Sequence, residues 1–379
     1  MGEAPAATAQ RDLAGEYLDE LQARFGQAAD GRLLAQELEI GGLHLSLRFA
    51  GEAMREALLA PFAHLVTSGG TPAALSISVF DGGSTGVEAP LPAWDPVDAA
   101  PGTNPVARLR SARACVLAAA GTGAVTAAEP GGGRAVFYLP DAARISPIER
   151  AAPLRDALQL LMTPHGRWLT HAGAVGRKGR GVLLVGRGGS GKSTLALSCA
   201  LAGMEIVADD YVLLENPSEN DPPLAHAMQS TAKLTEDSAG RLGLGAEAIG
   251  PAGFEPTLEG PAKALVDVRT LAPGLMRRSL EIVAILAPTV PPLSSSLVPL
   301  SGTKDELSGE GVAALRPISA AEGLRAMAPS TILQSGFRGA GTLAALGELV
   351  RAVPSYALRL SPDPAENAAA VDRVVGELG

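Results

Sequence analysis

The run Gly186-Arg-Gly-Gly-Ser-Gly-Lys-Ser-Thr194 has the residue types and spacing of a loop that cradles phosphate groups. Gly188, Gly189 and Gly191 permit backbone N–H groups to turn inward, Lys192 can reach β and γ phosphates, and Ser193 offers a hydroxyl to Mg²⁺. Gly186, Arg187, Ser190 and Thr194 complete the candidate nucleotide contacts. Two acids, Asp209 and Asp210, follow the next apolar run, Ile206-Val-Ala208, and ligands of open α/β sheets sit outside the carboxyl ends of strands. One carboxylate can join Ser193 in holding Mg²⁺ while its neighbour accepts a proton from an attacking hydroxyl. A base in that role should face an open pocket, and an enclosed Asp209 would count against the kinase reading. His171 lies ahead of the loop beside Ala172, Gly173 and Ala174, whose small size leaves room for a bulky ligand. It can hydrogen-bond an aspartate or contact a transferring phosphate. Charge on the equatorial phosphate oxygens calls for a further cation. Lys263 is the preferred choice, with Arg187, Arg269 and Arg277 as others.

These residues need a strand-loop-helix frame, and the flanking sequence supplies one. Within the apolar run Gly181-Val-Leu-Leu-Val185, Val182 to Val185 reads as the strand before the loop, Lys192 to Ala202 as the helix after it with Gly203 as its stop, and Glu205 to Ala208 as the next strand. Trp168 to Val175 reads as one strand carrying His171, and Tyr211 to Leu214 as another. Upstream, Ser146, Pro147 and Glu149 are helix-start residues for a helix whose apolar face runs through Leu154, Leu158 and Leu161. Downstream, strands are expected at Ala264 to Val268, Leu280 to Leu286 and Tyr356 to Leu360. Helices are expected from the Ser319–Glu322 capping box, over Gly341 to Val353 and over Pro364 to Leu378; Pro291 to Gly311 reads as exposed and mobile.

Residues 1–144 read as a smaller α+β domain: a helix over Arg11 to Arg24, strands at Leu43 to Phe49, Leu75 to Val79, Ala114 to Ala119, Ala124 to Ala128 and Ala135 to Leu139, and a helix over Glu52 to Leu65. Its sequence names no chemistry. Residues 145–379 form the second expected domain. The whole chain has 379 residues and is 46% hydrophobic but only 3% aromatic, so its core must be built from Ala, Val, Leu and Ile. A net charge of −9 argues against nucleic-acid binding. Cys115 and Cys199 form no metal or disulfide pattern, and neither an apolar leader nor a membrane-length span is evident, so a cytoplasmic protein off the membrane is expected.

His171-Ala-Gly173, the Gly186–Ser193 loop and Val207-Ala-Asp-Asp210 together resemble the HPr kinase/phosphorylase family and its looser kinase relatives, which share a core with ATP-dependent phosphoenolpyruvate carboxykinases. The resemblance is strongest over residues 165–216. It implies an α/β fold with a P-loop kinase domain of that type. It also implies Asp209 as the proton-transferring carboxylate, His171 as its support, Lys192 as the phosphate clamp, and Ser193 with Asp210 as Mg²⁺ ligands. Thr194 stands where the regulatory enzymes carry an acid, and their Glu-x-Arg-Gly signature is absent. The resemblance therefore points to the related kinases of peptide-modification gene clusters rather than to HPr as substrate.

The expected activity is ATP- and Mg²⁺-dependent transfer of the γ-phosphoryl group to a hydroxyl of a peptide, a protein serine or a small molecule. ATP is the assumed donor, since such a loop reads phosphates and not bases. The acceptor is the expected partner, and a homo-oligomer is compatible with the sequence. Two other readings use the same loop: an ATPase or GTPase switch, for which no Asn-Lys-x-Asp motif is found, and a non-catalytic nucleotide-binding scaffold in a biosynthetic complex.

Overall fold

Leu43, Leu45, Leu47 and Phe49 alternate with polar residues, and Leu45, Leu47 and Phe49 are fully buried as that period requires. The computed structural model describes residues 12–68, 72–91, 106–119, 121–218, 221–257, 260–290, 313–334 and 340–378. The expected mobile stretch from Pro291 to Gly311 lies outside them. The molecule is an α/β protein with mixed sheets.

A seven-stranded sheet contains β1 (Leu33–Ile40), β2 (Leu43–Ala50), β3 (Leu75–Asp81), β4 (Val106–Arg110), β5 (Cys115–Ala119), β6 (Val125–Glu129) and β7 (Arg134–Leu139), in the order β1-β2-β3-β7-β6-β5-β4. Helix α1 (Leu13–Ala28) packs on this sheet through Leu18, Leu21 and Phe25. The helix expected over Glu52 to Leu65 stops early: α2 (Glu52–Leu58) gives way to a 3₁₀ turn, Ala60–Leu65, in which Pro61 cannot continue the α ladder. A short α3 (Gly82–Thr85) follows β3.

The helix expected from Pro147 through Leu161 is two pieces, α4 (Pro147–Ala151) and α5 (Arg155–Met162). Pro153 interrupts it, and Leu154 takes a left-handed conformation at φ 56°. Ser146 Oγ does accept from Glu149 N at 3.1 Å, but the Glu149 carboxylate turns away to accept from Leu154 N at 2.9 Å, bridging the break. Helix α5 lies against β6, β7 and β8 (Arg167–Thr170), and Leu158, Leu161 and Met162 join one apolar cluster reaching from Leu38 to Val350. The two large sheets thus share a core.

The nine-stranded sheet is built from β8, β9 (Gly173–Arg177), β10 (Arg180–Leu184), β11 (Glu205–Ala208), β12 (Val212–Glu215), β13 (Leu224–Ala227), β16 (Ser279–Thr289), β17 (Ala314–Ile318) and β18 (Ser355–Arg359). Between β13 and β16 a separate two-stranded antiparallel sheet pairs β14 (Thr231–Thr235) with β15 (Lys263–Asp267). Helices α6 (Lys192–Leu201) and α11 (Pro364–Leu378) pack together, and their apolar side chains share a second cluster with β9 and β10. The remaining helices are α7 (Glu236–Arg241), α8 (Val268–Leu271), α9 (Ala320–Gln334) and α10 (Ala340–Ala352). The capping box at the start of α9 is formed, Glu322 N donating to Ser319 Oγ at 3.3 Å and Ser319 N to Glu322 Oε2 at 2.9 Å. Among the described residues no helix is long and apolar enough to cross a membrane.

The strand expected from Trp168 to Val175 is two strands. Ala172 N donates to Thr170 O at 3.0 Å, a tight turn centred on His171, and the chain passes there from β8, paired with β12, to β9, paired with β10 and β11. Strand β11 runs antiparallel to β9, which runs antiparallel to β10. Strands β10 and β11 therefore point the same way, and their carboxyl ends bring the glycine-rich loop and the two acids to one edge of the sheet.

Candidate active site

The loop leaves β10 at Val185 and enters α6 at Lys192. Positive φ angles fall at Gly186 (145°), Gly189 (79°) and Gly191 (94°), the values that need glycine. Gly188 does not share them, so it is not a conformational requirement of the loop. A side chain at Gly191 would also meet Leu360, 2.5 Å from its Cβ, whereas the same atom at Gly188 or Gly189 would meet nothing within 4 Å. The loop's crest is open and its base is packed. Lys192 is buried, its ammonium donating to Gly186 O at 2.6 Å and Arg187 O at 3.2 Å, inside the curve of the loop. Burial lowers its pKa, and the negative charges of Asp210 and Asp209 oppose that shift. Arg187, Gly188 and Gly189 are exposed, while Ser190, Ser193 and Thr194 are half-buried.

His171, in the turn between β8 and β9, meets the acid pair across the ribbon. Its Nε2 lies 2.8 Å from Asp210 Oδ1, its backbone N–H donates to Thr331 Oγ1 at 3.2 Å, and its ring leans on Tyr211 at 5.3 Å between centroids. The small residues beside it do not make room for a ligand, because the chain itself uses that space. Ala172 and Ala174 are fully buried, and a Cβ at Gly173 would stand 3.1 Å from Asp209 O and 3.2 Å from Ala208 O. Glycine there lets the acid-bearing strand close on β9.

The cation that holds the acids is Lys233, on β14, which sequence reading passed over. Its Nζ lies 2.6 Å from Asp210 Oδ2 and its backbone N donates to Asp209 Oδ2 at 3.2 Å. Strand β14 alternates Thr231, Lys233 and Thr235 with the buried Ala232 and Leu234, and that period of two around a single lysine was the available signal. Lys263 starts the partner strand β15 opposite Thr235, and its charge is felt at Lys192. Arg269 pairs instead with Asp267, and Arg277 with Glu205.

The two neighbouring carboxylates are driven apart. Burial works against ionising Asp210, yet Lys233 and His171 hold its pKa well below the ordinary value. Asp209 is pushed the other way, to about 7, by burial and then by the Asp210 charge, with Lys233 and a hydrogen bond from Ser193 countering in part. Asp209 Oδ1 is buried and has no hydrogen-bond partner, and neither has His171 Nδ1. Asp209 is 1% exposed, so it does not face the open pocket expected of it. The Ser193–Asp210 pairing expected for Mg²⁺ also meets an obstacle. Both Asp210 oxygens are engaged, whereas the unpartnered oxygen belongs to Asp209, beside Ser193. Among the described residues no group of three or more His, Cys, Asp or Glu could hold a metal ion.

No protein-family model and no curated protein matches the chain. Among solved structures it is similar to the HPr(Ser) kinase/phosphatase from Coxiella burnetii, with 15% sequence identity over 55% of this chain and 98% of that one, at a TM-score of 0.28. A likeness at that score does not establish shared chemistry.

Proposed function

We propose that the protein is a Mg²⁺-dependent phosphotransferase that moves the γ-phosphoryl group of ATP to a hydroxyl, with Asp209 as the base. One observation carries this reading: beside a phosphate-cradling loop, one aspartate is held ionised while its neighbour is poised near neutrality, at about 7, with an unpartnered oxygen. A base matched to neutral pH takes a hydroxyl proton most effectively. The acceptor oxygen attacks the γ-phosphorus, the bond from that phosphorus to the β–γ bridging oxygen breaks with its electron pair leaving on ADP, and the hydroxyl proton passes to Asp209. His171 and Lys233 keep Asp210 anionic, and the Asp210 charge raises the pKa of Asp209, a rise that the direct attraction of Lys233 partly offsets. Lys192, released from the Gly186 and Arg187 carbonyls, would meet the β and γ phosphates. Magnesium, held by Ser193 and the nucleotide's phosphates, would neutralise charge on the transferred group. Lys263, opposite Thr235 at the start of β15, is the supporting cation in this proposal.

The enclosure of Asp209 favours a second reading, nucleotide hydrolysis, since water reaches a nearly closed carboxylate more readily than a peptide serine does. Incubation with γ-labelled ATP, Mg²⁺ and a panel of peptides and cell metabolites separates the two. Label on an acceptor, lost in Asp209→Asn, supports transfer. Label released only as phosphate with every acceptor offered supports hydrolysis, and no turnover with nucleotide still bound supports a scaffold.

A further inference from the structure

The imidazole of His171 is held at one nitrogen only. Its Nε2 lies 2.8 Å from Asp210 Oδ1, whereas Nδ1 is buried and has no hydrogen-bond partner, so no second polar contact fixes the plane of the ring. Lys233 poses the same problem in another form. Its ammonium stands 2.6 Å from Asp210 Oδ2 at the end of a flexible stem, and its side chain is 28% exposed. One residue touches both. Tyr211, itself buried, has its ring centroid 5.3 Å from that of His171, with the planes tilted by 48°, and 5.9 Å from Lys233 Nζ. An aromatic ring within about 6 Å of a cation attracts it. Arg155 anchors the ring in turn: its guanidinium carbon lies 5.6 Å from the Tyr211 centroid, and its Nη1 donates to Tyr211 Oη at 3.4 Å. Arg155 opens α5 directly after the left-handed Leu154, where the helix dipole disfavours a cation, and it is paired with Asp156 at 3.1 Å. The helix alone would not choose an arginine there, and the reach to Tyr211 accounts for it.

We infer that Tyr211 is a positioning residue of the site: its ring fixes the imidazole plane of His171 and the ammonium of Lys233, keeping both on Asp210. For its effect on turnover the inference rests on the proposed phosphotransfer. For the placement of the two side chains it does not.

The molecule carries its own control. Among the described residues two histidines place Nε2 against a carboxylate, His171 on Asp210 and His226 on Glu215 at 2.9 Å. In the full chain each should give a slowly exchanging Nε2 proton by NMR, assigned by its loss in His171→Gln and His226→Gln. Tyr211→Leu is expected to speed exchange of the His171 proton about ten-fold and to leave that of His226 unchanged, and Tyr211→Phe, which keeps the ring, to leave both. With ATP, Mg²⁺ and an acceptor, Tyr211→Leu should lower kcat roughly 10²-fold with KM unchanged, and Tyr211→Phe should stay within about three-fold of wild type. An unaltered His171 proton in Tyr211→Leu, or one lost in Tyr211→Phe, overturns the inference. Disturbance of both histidine protons in Tyr211→Leu and in the milder Tyr211→Met makes Tyr211 a support of the whole fold and overturns it too. A disturbed His171 proton with full turnover overturns the link to catalysis. Absence of transfer in the wild type refutes the phosphotransferase reading alone, since the histidine spectrum still decides the placement.

Discussion

Two charge networks of similar composition sit in different parts of this molecule. On the seven-stranded sheet, Arg113 and Arg134 share Asp19 and Glu129, with contacts of 2.6 to 3.0 Å. At the edge of the nine-stranded sheet, Lys233 and His171 share Asp210, with Asp209 alongside. In the first network the side chains are 20% to 49% exposed, and both acids are simply lowered, Asp19 by its hydrogen bond to Arg113 and Glu129 by that to Arg134. In the second, Asp209 is 1% exposed and one acid rises while its neighbour falls. Water screens the first network, so each charge answers mainly to its own partner. With water largely excluded from the second, two adjacent carboxylates cannot ionise at equal cost.

Asp209→Asn tests that contrast most severely. It should reduce acceptor phosphorylation by about 10³-fold while leaving nucleotide affinity within a few-fold, as read by steady-state kinetics and titration calorimetry. Loss of nucleotide binding instead would make Asp209 a structural residue of the loop. Lys233→Met comes next. It leaves the buried Asp210 with His171 alone and should cost about 3 kcal/mol of stability in denaturant unfolding. An unchanged midpoint would place the second network in the same weak class as the first.

A smaller effect should appear in the pH dependence. Activity should rise with pH as Asp209 loses its proton near 7, and in Lys233→Met that midpoint should move upward, because the lysine normally lowers the Asp209 pKa. The same raised pKa has a stability signature. The native state holds the Asp209 proton more tightly than the unfolded chain, so this group's contribution is present below the ordinary carboxylate pKa and declines as pH rises toward 7, detectable as the difference between wild type and Asp209→Asn. The smallest effect belongs to the surface network: Arg113→Ala should leave the melting temperature within about 2 °C of wild type and activity unchanged.

The parts legible in sequence were those written in neighbouring residues. The 186–194 loop, the bounds of β11 and α11, and the Gly203 stop at the end of α6 could be read directly, since glycine geometry, apolar period and capping act within a turn or two. Strands β1, β4, β13, β14 and β17 were not recognised. Thr231-Ala-Lys-Leu-Thr235 is too short and mixed to announce a strand without β15 beside it. The break at His171 was hidden because Trp168 to Val175 is continuously strand-like, and only the separate pairing of its halves with β12 and β11 turns the chain there.

The sequence by itself determined the ingredients of the candidate site and the order in which strand, loop, helix and acids follow one another, because those depend on backbone conformation and short-range periodicity. Tertiary structure decided what the ingredients are to one another. It brought Lys233 across from a separate two-stranded sheet, filled the space beside His171 with the Asp209 backbone, and enclosed Asp209 while pinning Asp210. Charge state is set by burial and by partners in space, and neither is encoded in the separation of residues along the chain.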